Sequence, residues 1–188
     1  MIVGIDYSMS SPAICVCSGD FKYENCKFLF VTRTKKYAQP YNTQITGEPL
    51  GEFKDNIERF ALLSEITYDF IFENFPENEN DEDVSIGLEG YAMGAQGQVF
   101  NIGENTGILK HRLCYIEDWN IDVHSPSTIK KFATGRGNAN KQDMYESFIK
   151  ETGVNLSALL EQSVDPKVSS PISDIVDSFY IAKLQSTM

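Results

Sequence analysis

Residues 2 to 5 read Ile-Val-Gly-Ile and end on Asp6. An apolar run rich in β-branched residues, with no polar alternation, predicts a buried first strand. Such a strand has no solvent face, so later elements must cover it. The stretches PAICVCSG and KFLFVTRT predict strands two and three, an antiparallel meander turning near Gly19 and Asp20. Residues 35–51, rich in Tyr, Gln, Thr and Gly, predict a loop. From Phe53 to Phe75 apolar residues recur at helical spacing, led by Ile57, Phe60, Leu63 and Ile66. VSIGLEG then predicts a short buried strand ending at Glu89, residues 98–116 a helix, and NIDVH a fifth strand. Ser125 as N-cap with Pro126 behind it starts another helix. After the Gly-rich link GRGNAN come a helix over about 140–151, a loop, and a last helix from about residue 171. This order predicts an α/β fold: a mixed five-stranded sheet, antiparallel over its first three strands and parallel in the rest, flanked by helices. At 188 residues it is expected to be one domain, 1–188.

No apolar run approaches the roughly 20 residues that cross a bilayer, and no basic-then-apolar signal opens the sequence. Cys15, Cys17, Cys26 and Cys114 form no CxxC pair, so reduced thiols and a cytoplasmic setting are the expectation. The net charge of −11 argues at first against nucleic acid as a partner. Its distribution says more. Glu73, Glu77, Glu79, Asp81, Glu82 and Asp83 cluster in FENFPENENDED, a solvated loop by its Pro and Asn content. Residues 123–142 instead hold Lys130, Lys131, Arg136 and Lys141 and no acid. An acidic body with one basic segment is compatible with phosphate binding at a defined place. Gly135 and Gly137 around Arg136 would admit backbone N–H groups to a phosphate, or serve as a helix C-cap and turn.

The last helix poses the sharper problem. In SPISDIVDSF the acids Asp174 and Asp177 are interleaved with Ile172, Ile175, Val176 and Phe179, and no cation follows until Lys183. Residues three apart share a helix face, so these carboxylates repel each other. Asp6 and Glu89, at the ends of buried strands, are costly in the same way. Four carboxylates from three elements, meeting at the carboxyl edge of a sheet, would suit a hard cation such as Mg²⁺ or Mn²⁺. His111 and His124 do not fall at a zinc spacing. Simple exposure of the pair, with Asp174 favoured by the helix dipole, is the other reading.

Taken in order, IVGIDYS, IGLEG and SDIVDSF resemble the RuvC family of Holliday-junction resolvases, in its short phage forms, within the RNase H-like (retroviral integrase) superfamily. QVFNIGENTGILKHRL resembles the helix after the family's Glu, and VHSPSTIKKFATGRGNANKQDM the strand, helix and basic link beyond it. The resemblance implies a divalent-metal-dependent endonuclease that resolves four-way DNA junctions by paired, symmetric phosphodiester hydrolysis. It implies Asp6, Glu89, Asp174 and Asp177 as metal-binding catalytic acids, holding two Mg²⁺ or Mn²⁺ ions. Lys141 would contact DNA at the scissile phosphate, with Lys130, Lys131 and Arg136 as further DNA contacts. Tyr91, or Phe100, would stack on junction bases, ordinary core packing being the alternative for each. The implied assembly is a homodimer, with the helix over 98–116 as its interface. The sequence departs from the family in having Tyr7-Ser8, not Pro-Gly, after the first acid. A nuclease for forks, flaps or hybrids shares these features. GIDYS also resembles the first phosphate loop of an actin-like ATPase, but no second Gly-rich loop follows, and a non-catalytic DNA-binding protein would leave four acids without purpose.

Overall fold

The computed structural model describes residues 1–75, 84–90 and 99–188. Six strands form one mixed sheet: β1 (Ile2–Asp6), β2 (Ala13–Cys17), β3 (Cys26–Thr32), β4 (Ile45–Pro49), β5 (Ser85–Glu89) and β6 (Ile121–His124), in the order β4-β3-β2-β1-β5-β6. β1, β2 and β3 run antiparallel as the meander requires, whereas β5 lies parallel to β1 and β6 parallel to β5. The mixed α/β class is as expected. The strand count is corrected from five to six, because residues 45–49 of the expected loop pair in parallel with β3 from Phe28 opposite Ile45 to Thr32 opposite Pro49. Proline suits such an edge, where a missing N–H costs no ladder bond.

The helices are α1 (Asn56–Glu73), α2 (Val99–Lys110), α3 (Pro126–Thr134), α4 (Lys141–Thr152), the short α5 (Leu156–Leu159) and α6 (Ile172–Gln185). A π-helical segment, His111–Ile116, continues α2. Ser125 caps α3 through its hydroxyl, which accepts from Thr128 N–H, with Pro126 in the first turn. Asn140 and Asp143 close a reciprocal capping box on α4. Gly135 ends α3 with φ 80°, its N–H donating to Lys131 C=O, so the C-cap reading of this glycine is the correct one.

Alternation along the strands builds two cores. On one face Cys15, Cys17, Phe28 and Phe30 meet Ile175, Val176 and Phe179 of α6, with α3 and α4 behind. On the other, Val3, Ile5, Ile14, Leu29, Ile86 and Leu88 meet Leu63 and Ile71 of α1 and Leu109 of α2. Cys15, Cys17 and Cys26 are buried free thiols. Among the described residues, no helix is long and apolar enough to cross a membrane.

One contact decides where α6 sits. A Cβ on Gly4 would lie 2.2 Å from Ala182 N and 2.3 Å from Ser178 O, so the helix backbone presses directly on β1 there. Only glycine permits that approach. Two residues along the strand cover roughly 6.6 Å, and four residues back along the helix roughly 6 Å. Asp6 therefore comes level with the helix turn that carries Asp174 and Asp177.

Candidate active site

β1 and β5 run parallel with Ile5 opposite Leu88, so Asp6 and Glu89 leave the sheet at the same edge. The chain just past Glu89 is fastened by Gly90 N–H, which donates to His124 C=O at 2.7 Å. His124 itself lies opposite Glu89 on β6, with Nε2 2.7 Å from Gln185 Oε1. Gln185 Nε2 donates to Ser85 Oγ and Asp122 Oδ2, which ties the C-terminal end of α6 to β5 and β6. Beyond Asp6 the chain turns through Ser8, whose Oγ accepts Ser11 N–H at 2.9 Å, and Tyr7 packs into the α1 side of the core. The Tyr7-Ser8 departure is thus a serine-closed turn. A cleft of about 230 Å³, bordered by Tyr7, Met9 and Ile102, opens onto Asp6 and Glu89.

The four acids lie near enough to act on one another electrostatically. Burial pushes Asp6 well above the ordinary carboxylate range, and Asp174, Glu89 and Asp177 push it further while Lys141 opposes them. Glu89 is raised by burial, against a hydrogen bond with Asp6 and the charges of Lys130 and Lys141. Asp177 is pushed up to about 7, by burial first and then by Glu89 and Asp174, with Lys141 and Lys130 again opposing. Carboxylates crowded together cannot all ionise, and they hold protons that isolated ones would release. The exposed-pair reading of Asp174 and Asp177 fails here: Asp174 is 7% exposed and Asp177 half-buried.

The basic residues divide. Lys130, half-buried on α3, and Lys141, first residue of α4, face the carboxylates. Lys141 Nζ donates to Ser173 Oγ at 3.0 Å. Lys131 is exposed on α3. Arg136 is paired at 3.0 Å with Asp143, the first acid after the basic segment. Tyr91 lies outside the described residues. Phe100 is 86% exposed on α2, so core packing is the wrong reading for it. Two residues with no distinguishing mark in the sequence complete the site: Ser170 Oγ and Ser173 Oγ donate to Asp174 Oδ2 and Oδ1 at 2.5 and 2.7 Å. Serines beside a proline at the start of a helix resemble ordinary start signals, which hid them.

Four acids, three of them raised by burial and mutual repulsion, fit a hard divalent cation by donor chemistry. As placed, though, no group of three or more His, Cys, Asp or Glu side chains among the described residues could hold a metal ion. Asp174 has both oxygens on serine hydroxyls. Donor type fits; a finished cage is not present.

No protein-family model and no curated protein matches the sequence. Solved structures do match. Thermus thermophilus RuvC in complex with a Holliday junction substrate aligns over 97% of this chain and 91% of its own, with a TM-score of 0.60 and 14% identity. The fold is that of RuvC. A second Thermus thermophilus RuvC structure aligns over 96% and 89%, with a TM-score of 0.52 and 15% identity. On this RuvC-like chain the expected mixed α/β architecture is borne out, and Asp6 and Glu89 end neighbouring parallel strands on the side where Asp174 and Asp177 act on Asp6 electrostatically.

Proposed function

We propose that the chain is a single-domain, divalent-cation-dependent endonuclease, residues 1–188, that cuts branched DNA and resolves four-way junctions. The observation that carries this is the meeting of Asp6, Glu89, Asp174 and Asp177 with Lys130 and Lys141 at one edge of a RuvC fold. That fold is shared with a RuvC solved in complex with a Holliday junction substrate, which favours junctions among branched substrates.

The four acids would hold two Mg²⁺ or Mn²⁺ ions. Held by these acids, divalent ions would supply Lewis acidity for attack by water and for charge on the departing 3′ oxygen. Asp6, on which the other three acids act, would be a central ligand among them. Lys141 and Lys130 bring positive charge to the same edge and would receive the phosphate there. Lys141 also borders a groove of about 650 Å³ with Gln142 and residues 164–168, where Lys167 adds a cation for the DNA backbone. Paired incision calls for two sites related by two-fold symmetry, hence a homodimer. Its interface would be α2 and the segment after it, whose Val99, Phe100, Tyr115 and Ile116 are exposed.

Incubation with a labelled four-way junction, a fork and an RNA–DNA hybrid, with Mg²⁺ or EDTA, tests this reading. The expected result is Mg²⁺-dependent, symmetric nicking of the junction in preference to the other two. Cleavage of the hybrid alone would transfer the chain to a different nuclease class, and no cleavage of any substrate would remove the enzymatic reading.

The basic segment makes a second, graded prediction. Removing one phosphate-binding cation lowers the slope of log affinity against log salt by about 1. Lys141→Ala should show that decrease in a filter-binding series. Arg136→Ala should show less, because Asp143 already offsets its charge. An unchanged slope for Lys141→Ala would take this residue off the DNA path.

A further inference from the structure

Asp174 is the only one of the four acids whose two carboxylate oxygens both accept a serine hydroxyl among the hydrogen bonds between described residues. The hydroxyls are not there by default. A serine at the start of a helix ordinarily caps a backbone N–H, and inside a helix it bonds back to a carbonyl. Ser178 of the same helix does the latter, donating to Ile175 C=O. Ser173 does neither: it is 3% exposed and gives its hydrogen to Asp174. An ammonium can only donate, and a hydroxyl has one hydrogen and two acceptor positions. With Asp174 Oδ1 as acceptor, the hydrogen-bond chain runs from Lys141 to Ser173 to Asp174. Ser170 is braced in turn by Gln162, whose Nε2 donates to Ser170 C=O at 2.8 Å and to Ser169 Oγ at 3.0 Å.

We propose that Ser173, assisted by Ser170, is a positioning residue that holds the Asp174 carboxylate for cation binding and couples it to Lys141. This rests on the reading of Asp174 as a cation ligand given above. One hydroxyl per oxygen leaves each oxygen a free lone pair, so the serines orient the carboxylate without exhausting it. Through Ser173 the acid that meets the cation and the lysine that meets DNA are set as one unit. Hydrogen-bonded support of this kind behind a ligand is worth about 10–100-fold in metal affinity.

The test is Mn²⁺ binding without DNA, followed by electron paramagnetic resonance of the free ion and by calorimetry. Ser173→Ala should weaken binding at least about tenfold, Ser170→Ala should weaken it in the same direction, and Ser173→Thr, which keeps the hydroxyl, should restore it. Ser178→Ala removes a buried hydroxyl from the same helix without touching a carboxylate and should bind as wild type. In a double-mutant cycle, Lys141→Met and Ser173→Ala should be non-additive. Wild-type affinity in Ser173→Ala, or equal losses in Ser173→Ala and Ser178→Ala, would overturn the assignment while leaving the nuclease reading intact. A wild-type chain that binds no Mn²⁺ would overturn both.

Discussion

Replacing Asp6 with Asn should lower cleavage of a four-way junction by about 10³-fold or more while changing junction affinity by no more than a factor of a few. The substitution preserves shape and removes one charge. Asp6 is the acid on which the other three act, at the end of a strand pinned to α6 by Gly4. Affinity should survive because it comes mainly from phosphate contacts, which Asp6 does not make. Glu89→Gln, Asp174→Asn and Asp177→Asn should act the same way. Single-turnover cleavage in Mg²⁺, beside gel-shift titration in EDTA, separates the two effects. Near wild-type cleavage in any two of the four variants would remove the site assignment.

Metal-free wild type should be more stable at pH 5 than at pH 8, by about 2–4 kcal/mol, because one unit of pKa shift corresponds to about 1.4 kcal/mol. The sign follows from Asp177. Its folded pKa is pushed up to about 7, from an ordinary value of 3.8. A raised acid binds its proton more tightly in the folded state. The resulting stability is present in full below about pH 4 and is lost as pH rises through about 7. Asp6 and Glu89 are raised as well and act in the same direction. Asp177→Asn removes part of the repulsion, so in EDTA at pH 8 it should melt higher than wild type and show a flatter pH dependence. Excess Mg²⁺ should reverse the order, since a ligand for the folded state stabilises by mass action and the variant has one carboxylate fewer. Melting curves at both pH values, with EDTA and with Mg²⁺, provide the check. A variant that melts lower than wild type in EDTA at pH 8 would show that Asp177 is not crowded by like charge.

Much of the fold and the site was legible in the sequence alone because it depends on near neighbours in the chain. An unbroken apolar run makes β1 a buried strand, Ser125-Pro126 starts α3, and acids at the ends of β1 and β5 must reach the same edge once those strands lie parallel. The interleaving of Asp174 and Asp177 with core residues was visible as a conflict, and that buried like charges need a partner is a general physical rule. What only the tertiary structure decided involves partners far apart in sequence. β4 carries a single fully buried apolar residue, Ile45, and becomes a strand because β3 offers it a ladder, so no local pattern announces it. Arg136 and Lys141 read alike in an acid-free segment, yet Asp143 takes the first and Ser173, thirty-two residues beyond the second, takes the other. For Phe100 the sequence left base stacking and core packing both open, and it lies exposed while Asn105, Thr106 and Leu109 fill the inner face of α2. Ser170 and Ser173 became part of the site only when α6 settled on Gly4 and carried Asp174 to the sheet edge, since a hydroxyl's partner is set by which groups packing brings within about 3 Å.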